Sequence, residues 1–138
     1  MKNLLIDTNI VIDLLAKRIP HYKDSALLFS LADKKKLKLC VSSLTFANTN
    51  YILLKGKSPS EVKSVLRKLK LIVEVLPLDD KIVGLALNDV DYDDFEDGLQ
   101  YFTAIENNLD MIITRNLKDF KKSKIPVMNP EQYIKTVE

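Results

Sequence analysis

Short apolar runs that alternate with helix-patterned segments restrict this chain more than any other feature. The runs lie at 3–6, 37–41, 71–76 and 110–113, with a weaker one at 125–128, and each has the length of a buried strand. Helical spacing of apolar residues occupies 10–18, about 22–36, 44–54, 59–70, 79–90, 95–108 and 130–136. Strands this uniformly apolar must be covered on both faces, and the helices between them supply the cover. The expected fold is a three-layer α/β/α sandwich around a mostly parallel sheet of about five strands. No repeat, low-complexity tract or linker interrupts the pattern, so residues 1–138 are expected to form one domain. One helix start is explicit: Ser58 caps, Pro59 opens the first turn, and Glu61 stands three residues after the cap.

Composition removes several function classes. Glycine occurs only at 56, 84 and 98, so neither a Walker loop nor a G-x-G-x-x-G turn is present. No apolar stretch approaches the roughly 20 residues that span a bilayer, and the N-terminus lacks the layout of a signal peptide. A cytoplasmic protein with no membrane partner is expected. The lone Cys40, within Leu39-Cys40-Val41, has no disulfide partner and is read as a core residue. Net charge is only +2, but its distribution is uneven. Residues 89–97 hold six acids, whereas 55–70 carry six cations against Glu61 and 115–124 carry five against Asp119. Acids concentrated between basic flanks suit a metal-dependent enzyme acting on a polyanion; solvated surface is the plainer reading of the basic stretches.

One arrangement recurs along the chain. Leu4-Leu5-Ile6 leads to Asp7-Thr8-Asn9, Leu39-Cys40-Val41 to Ser42-Ser43 with Asn48 beyond, and Met111-Ile112-Ile113 to Thr114-Arg115-Asn116 and then Asp119. In a parallel sheet all these strand ends share one edge, where ligands of open α/β folds bind. Helix capping explains any one such cluster equally well. Asp94 and Asp97, three apart near a helix start, share one face and leave Gly98, Phe102, Ile105 and Leu109 as the apolar stripe. Asp93 with Glu96 reads as a capping-box variant. Carboxylates crowded in this way raise one another's pKa unless a cation sits among them, and oxygen-only ligands suit Mg²⁺ or Mn²⁺.

The stretches "LLIDTNIVIDLL", "CVSSLTFANTNYIL", "DFEDGLQYFTAI" and "MIITRNLKDF" together resemble the PIN-domain family, the fold of VapC-type toxin ribonucleases. The resemblance covers essentially the whole chain. It implies the strand order 3-2-1-4-5 and an endoribonuclease whose acidic or amide residues hold one or two divalent ions, Mg²⁺ or Mn²⁺, that activate water against an RNA phosphodiester. Carried over by position, it implies catalytic and metal-binding roles for Asp7, Asp97 and Asn116, with Asp94 and Asp119 as further candidate ligands. It further implies a cognate antitoxin, and a homodimer is a candidate assembly. One departure stands out: the family usually has Glu where this chain has Asn48, which leaves open a weakened or non-catalytic module that binds RNA or a protein. A phosphotransfer receiver fits less well, since no Lys answers at the end of the fifth strand.

Expected phosphate contacts are Arg115, whose fork matches phosphate oxygens, together with Lys118 and Lys55. Asp13 is read as a surface or supporting acid, His21 as a loop residue, and Tyr51 and Tyr101 as core in preference to base-stacking groups. Thr8 and Thr114 are read as caps or as groups orienting water or phosphate.

Overall fold

The computed structural model describes residues 1–137. Its strands are β1 (Lys2–Ile6), β2 (Leu37–Ser42), β3 (Val73–Leu76), β4 (Met111–Ile113) and β5 (Val127–Met128). They form one parallel sheet in the order β3-β2-β1-β4-β5. Helices α1 (Thr8–Leu15), α2 (Tyr22–Asp33), α3 (Ser43–Leu53), α4 (Pro59–Lys70), α5 (Asp80–Asn88), α6 (Phe95–Glu106) and α7 (Pro130–Val137) complete the three layers.

Strand periodicity sorts the core. Leu4, Ile6, Leu39, Val41, Met111 and Ile113 point to one face, where they meet Ile10 and Val11 of α1, Leu28 and Phe29 of α2, Leu69 of α4 and Tyr133 of α7. Their alternates Leu5, Cys40 and Ile112 point to the other face, against Tyr101 and Ala104 of α6 and the neighbouring Tyr92 and Phe120. Burial pushes the Cys40 thiol up to about 11, so it is a packing group and not a nucleophile. Gly98 lets α6 approach α5: a Cβ there would lie 3.4 Å from Ala86 Cβ.

The strand ends differ from expectation in instructive ways. α1 begins at Thr8, two residues before the apolar pattern starts, so Thr8 and Asn9 are helical and Asp7 is the cap. Periodicity misses this start because a helix's first turn need not carry a buried residue. Segment 114–120 forms a short 3-10 turn (Leu117–Phe120) and no α-helix, unlike the polar clusters after β1 and β2. The capping box at Ser58 and Glu61 is present, with both reciprocal hydrogen bonds. No described helix is long and apolar enough to cross a membrane.

The strand order reverses between β1 and β4, so the chain leaves these adjacent strands in opposite directions and opens a crevice beyond their carboxyl ends. Asp7 follows β1 and Thr114 follows β4. The residues flagged from sequence therefore meet at a place the topology leaves open.

Candidate active site

A cavity of about 400 Å³ lies at this edge, and among its lining residues are Asp7, Asn48, Asp94, Asp97, Asn116 and Asp119. Residues as far apart as 7 and 119 are thus brought to one place, although α1, α3, α6 and the turn after β4 supply them separately.

Asp7 is the most firmly held member. Its Oδ1 accepts from the Thr8 N–H at 2.8 Å, and its Oδ2 accepts from the Thr114 hydroxyl at 2.9 Å and the Asn9 amide at 3.3 Å. Only 8% of the residue is exposed. Burial raises its carboxyl above the ordinary value, opposed by the hydrogen bonds from Thr114 and Thr8. Capping and participation in the site are therefore not alternatives at Asp7, because its two oxygens face different tasks. Thr114 is not a cap: it holds Asp7, while its oxygen accepts from the Asn116 N–H at 3.1 Å. Thr8 shares a buried polar cluster with Thr45 at 3.0 Å and Gln100, whose Nε2 reaches the Thr45 hydroxyl at 3.2 Å.

Asp97 faces the same cavity from the first turn of α6. Desolvation, followed by the negative charges of Asp94, Asp119, Asp7 and Glu96, pushes its carboxyl up to about 7. The cap of α6 is Asp94 and not Asp93, since Asp94 Oδ1 accepts from the Asp97 N–H at 3.0 Å. The acidic stretch separates into distinct jobs. Asp89 turns the chain by accepting from the N–H groups of Asp91 and Tyr92, whereas Glu96 and Asp97 enter the cavity.

Glu96 was read from sequence only as the partner of Asp93 in a capping box, not as a site residue. In the fold its Oε1 accepts from Asn48 Nδ2 at 3.2 Å across the crevice. An amide at 48 can donate to that carboxylate, which a glutamate there could not do. Gln100 was also missed. It is 3% exposed, and its Oε1 has no partner among the described residues. Exchanging the two amide atoms would move the vacancy without removing it.

Several other readings need correction. Asp13 is not a surface acid: it is fully buried and bonded twice to Arg115, from Nε at 2.6 Å and Nη2 at 3.2 Å. Arg115 therefore commits two of its three guanidinium nitrogens to a buried ion pair beneath the site. Tyr51 is not core but 68% exposed, and it lines the cavity. Tyr101 is core, stacked on Tyr92 with centroids 4.7 Å apart. His21 lines a separate depression beside Asp24 and Arg115.

Among the described residues, no group of three or more His, Cys, Asp or Glu side chains converges closely enough to enclose a metal ion. The donor set still suits a hard divalent cation. It is oxygen-only, two of its carboxylates are held above their ordinary pKa values, and Oε1 of Gln100, which lines the same cavity, has no partner among the described residues. Such a cation commonly binds one or two carboxylates and keeps several waters.

The sequence profile of the PIN domain family matches residues 3–118. Ribonuclease VapC1 of Aquifex aeolicus (strain VF5) is 27% identical over 139 residues, which span 96% of this chain and 93% of that protein. Among solved structures, a toxin-antitoxin complex from Klebsiella pneumoniae contains a chain that superposes with a TM-score of 0.69 at 23% identity, over 92% of this chain and 97% of that one. VapBC-1 from nontypeable Haemophilus influenzae gives 0.68 at 19% identity, over 94% and 98%. These two likenesses speak to the fold, and the profile match runs from within β1 to Lys118 and includes Asp7, Asp97 and Asn116, so the chain belongs to the PIN domain family.

Proposed function

We propose that this protein is a cytoplasmic, divalent-metal-dependent endoribonuclease and the toxin of a toxin–antitoxin pair, with residues 1–138 acting as one domain. The observation that carries the reading is the crevice at the β1/β4 switch, where a fixed Asp7 and a desolvated Asp97 face one cavity. Similarity to Ribonuclease VapC1 and to toxin–antitoxin structures supports the substrate and an antitoxin partner.

Asp7 and Asp97 would hold Mg²⁺ or Mn²⁺, with Glu96, Asn116, Asp94 and Asp119 completing the surroundings through water. Held by these residues, a divalent cation would supply Lewis-acid chemistry, polarising the phosphate and lowering the pKa of water. The chain itself supplies preorganisation: the Thr8 N–H and Thr114 hydroxyl fix Asp7 before substrate arrives, so no reorientation accompanies reaction. Glu96, oriented by Asn48, takes over the charge that position 48 lacks. Glu96→Gln is therefore expected to weaken Mn²⁺ binding by about ten- to a hundredfold in calorimetry, and to reduce Mn²⁺-dependent cleavage of a mixed single-stranded RNA alongside it. Unchanged Mn²⁺ affinity in Glu96→Gln would remove that residue from the site.

Basic side chains divide by topology. α4 runs back from the site edge toward the start of β3, so its 12 residues, about 18 Å long, carry Arg67, Lys68 and Lys70 to the far edge of the sheet. Lys55, before α4, and Lys118, in the turn after β4, remain at the site edge. For metal-free protein binding single-stranded RNA, Lys55→Ala and Lys118→Ala should each flatten the dependence of log K on log salt by roughly 0.7. Lys68→Ala should leave the slope as it is. Equal slopes for all three variants would return these lysines to ordinary surface.

A second reading rests on the open spacing of the acids, which enclose no metal on their own. Under it the protein binds RNA and does not cut it. Binding of wild type to RNA with no Mn²⁺- or Mg²⁺-dependent cleavage would favour that module.

A further inference from the structure

Tyr51 stands three residues after Asn48 on α3 and therefore on the same side of the helix. It is the most exposed aromatic ring among the described residues and lines the same cavity as Asp7 and Asp97, together with Ile12 and Ile52. No aromatic pair among the described residues includes it. Lys55, one turn further on, places its ammonium 5.3 Å from the ring centroid. The cavity thus combines carboxylates with an exposed flat ring that has no aromatic partner and carries a cation over its face.

We infer that Tyr51 is a stacking platform for one unpaired nucleobase beside the phosphate to be cut, with Lys55 released from the ring to contact the adjoining phosphate. This rests on the ribonuclease reading above and adds a substrate property to it. A ligand that is flat and apolar on its face yet carries phosphate at its edge matches the ring and the lysine together. An anion alone would use the lysine and gain nothing from the ring. A base inside a duplex is covered on both faces by its neighbours, so the platform selects RNA that is single-stranded at this position.

The chain contains no tryptophan, which makes Tyr51→Trp a unique fluorescent reporter. With full-length protein in EDTA and a labelled mixed single-stranded RNA, Tyr51→Ala should weaken binding about five- to a hundredfold, the range for loss of one stacked base. Tyr51→Trp should restore binding, and its emission should be quenched by the RNA but not by an oligomer of abasic ribose phosphates. The thermal shift produced by Mn²⁺ should persist in Tyr51→Ala, which separates base stacking from damage to the acidic site. RNA binding that is equal in wild type and Tyr51→Ala, or equal quenching by the abasic oligomer, overturns the platform while leaving the ribonuclease reading in place. Absence of RNA binding and cleavage in wild type overturns both.

Discussion

Asp7→Asn is expected to abolish any rise in melting temperature on adding Mn²⁺ or Mg²⁺ to the wild type, and to lower RNA cleavage more than about a hundredfold. At a hundred times Kd, a bound cation stabilises the wild type by about 2.7 kcal/mol, on the order of 10 °C for a domain of this size. Loss of a second-shell partner already costs ten- to a hundredfold in affinity or activity, and a direct ligand should exceed that. In EDTA the comparison has a second signature. Burial raises Asp7 above its ordinary value, and Asp97 is pushed from 3.8 up to about 7. A carboxyl with a raised folded-state pKa contributes its stability fully below the unfolded value, and that contribution is lost as pH rises through the folded value. Metal-free wild type should therefore lose stability between pH 3.8 and about 7, and Asp7→Asn should flatten the trend. With Mn²⁺ the trend should reverse, because binding requires the carboxylates without their protons. Thermal melts across this range, with and without cation, read all of these effects; an equal cation response in wild type and variant would remove Asp7 from the metal site.

The layers and the shared edge of Asp7 and Asn116 were legible because local patterns dictate them, whereas the strand order and the place of Asp97 beside them followed from the family resemblance. Runs such as Leu4-Leu5-Ile6 can be satisfied only by cover on both faces, and a parallel sheet then puts every strand's end on one edge. Ser58, Pro59 and Glu61 act within a single turn, so their capping box needs no tertiary information. What the chain concealed depends on pairings across long separations. Glu96 acquires meaning only opposite Asn48, 48 residues away, and Gln100 only beside Thr8 and Thr45. Tyr51 carries the same helical spacing as core residues, and its exposure follows from which side of α3 meets α1 and α4. The basic stretch 55–70 looks continuous in sequence, yet α4 carries its end to the opposite edge of the sheet. Asp13 was the hardest to read, since a lone acid in an apolar helix resembles a surface residue until the cation that neutralises it is located.

That cation is Arg115, 102 residues away, and its removal is expected to carry a large stability cost. Asp13 is fully buried while the Arg115 side chain is 28% exposed, and Nε and Nη2 donate to both carboxylate oxygens. Arg115→Ala leaves a buried carboxylate without its counter-charge, a loss that ranges over about 3–5 kcal/mol for such pairs. In urea titrations this should lower the midpoint sharply at nearly constant slope. Replacing both members, as in Asp13→Leu/Arg115→Met, should recover most of the loss, because the desolvation cost of the pair disappears with its attraction. The pair also spans the switch point: Asp13 lies on α1, directly after β1, and Arg115 directly follows Thr114, the residue that holds Asp7. If its role is to lock these two segments, cleavage by the stabilised double variant should remain below wild type even when fully folded, with Mn²⁺ affinity reduced in parallel. A phosphate-binding arginine would behave in the opposite way, with Arg115→Ala weakening RNA binding and reducing its salt dependence while losing less than about 1 kcal/mol of stability. The two outcomes differ in which measurement moves, so one set of urea curves alongside one set of salt titrations decides between them.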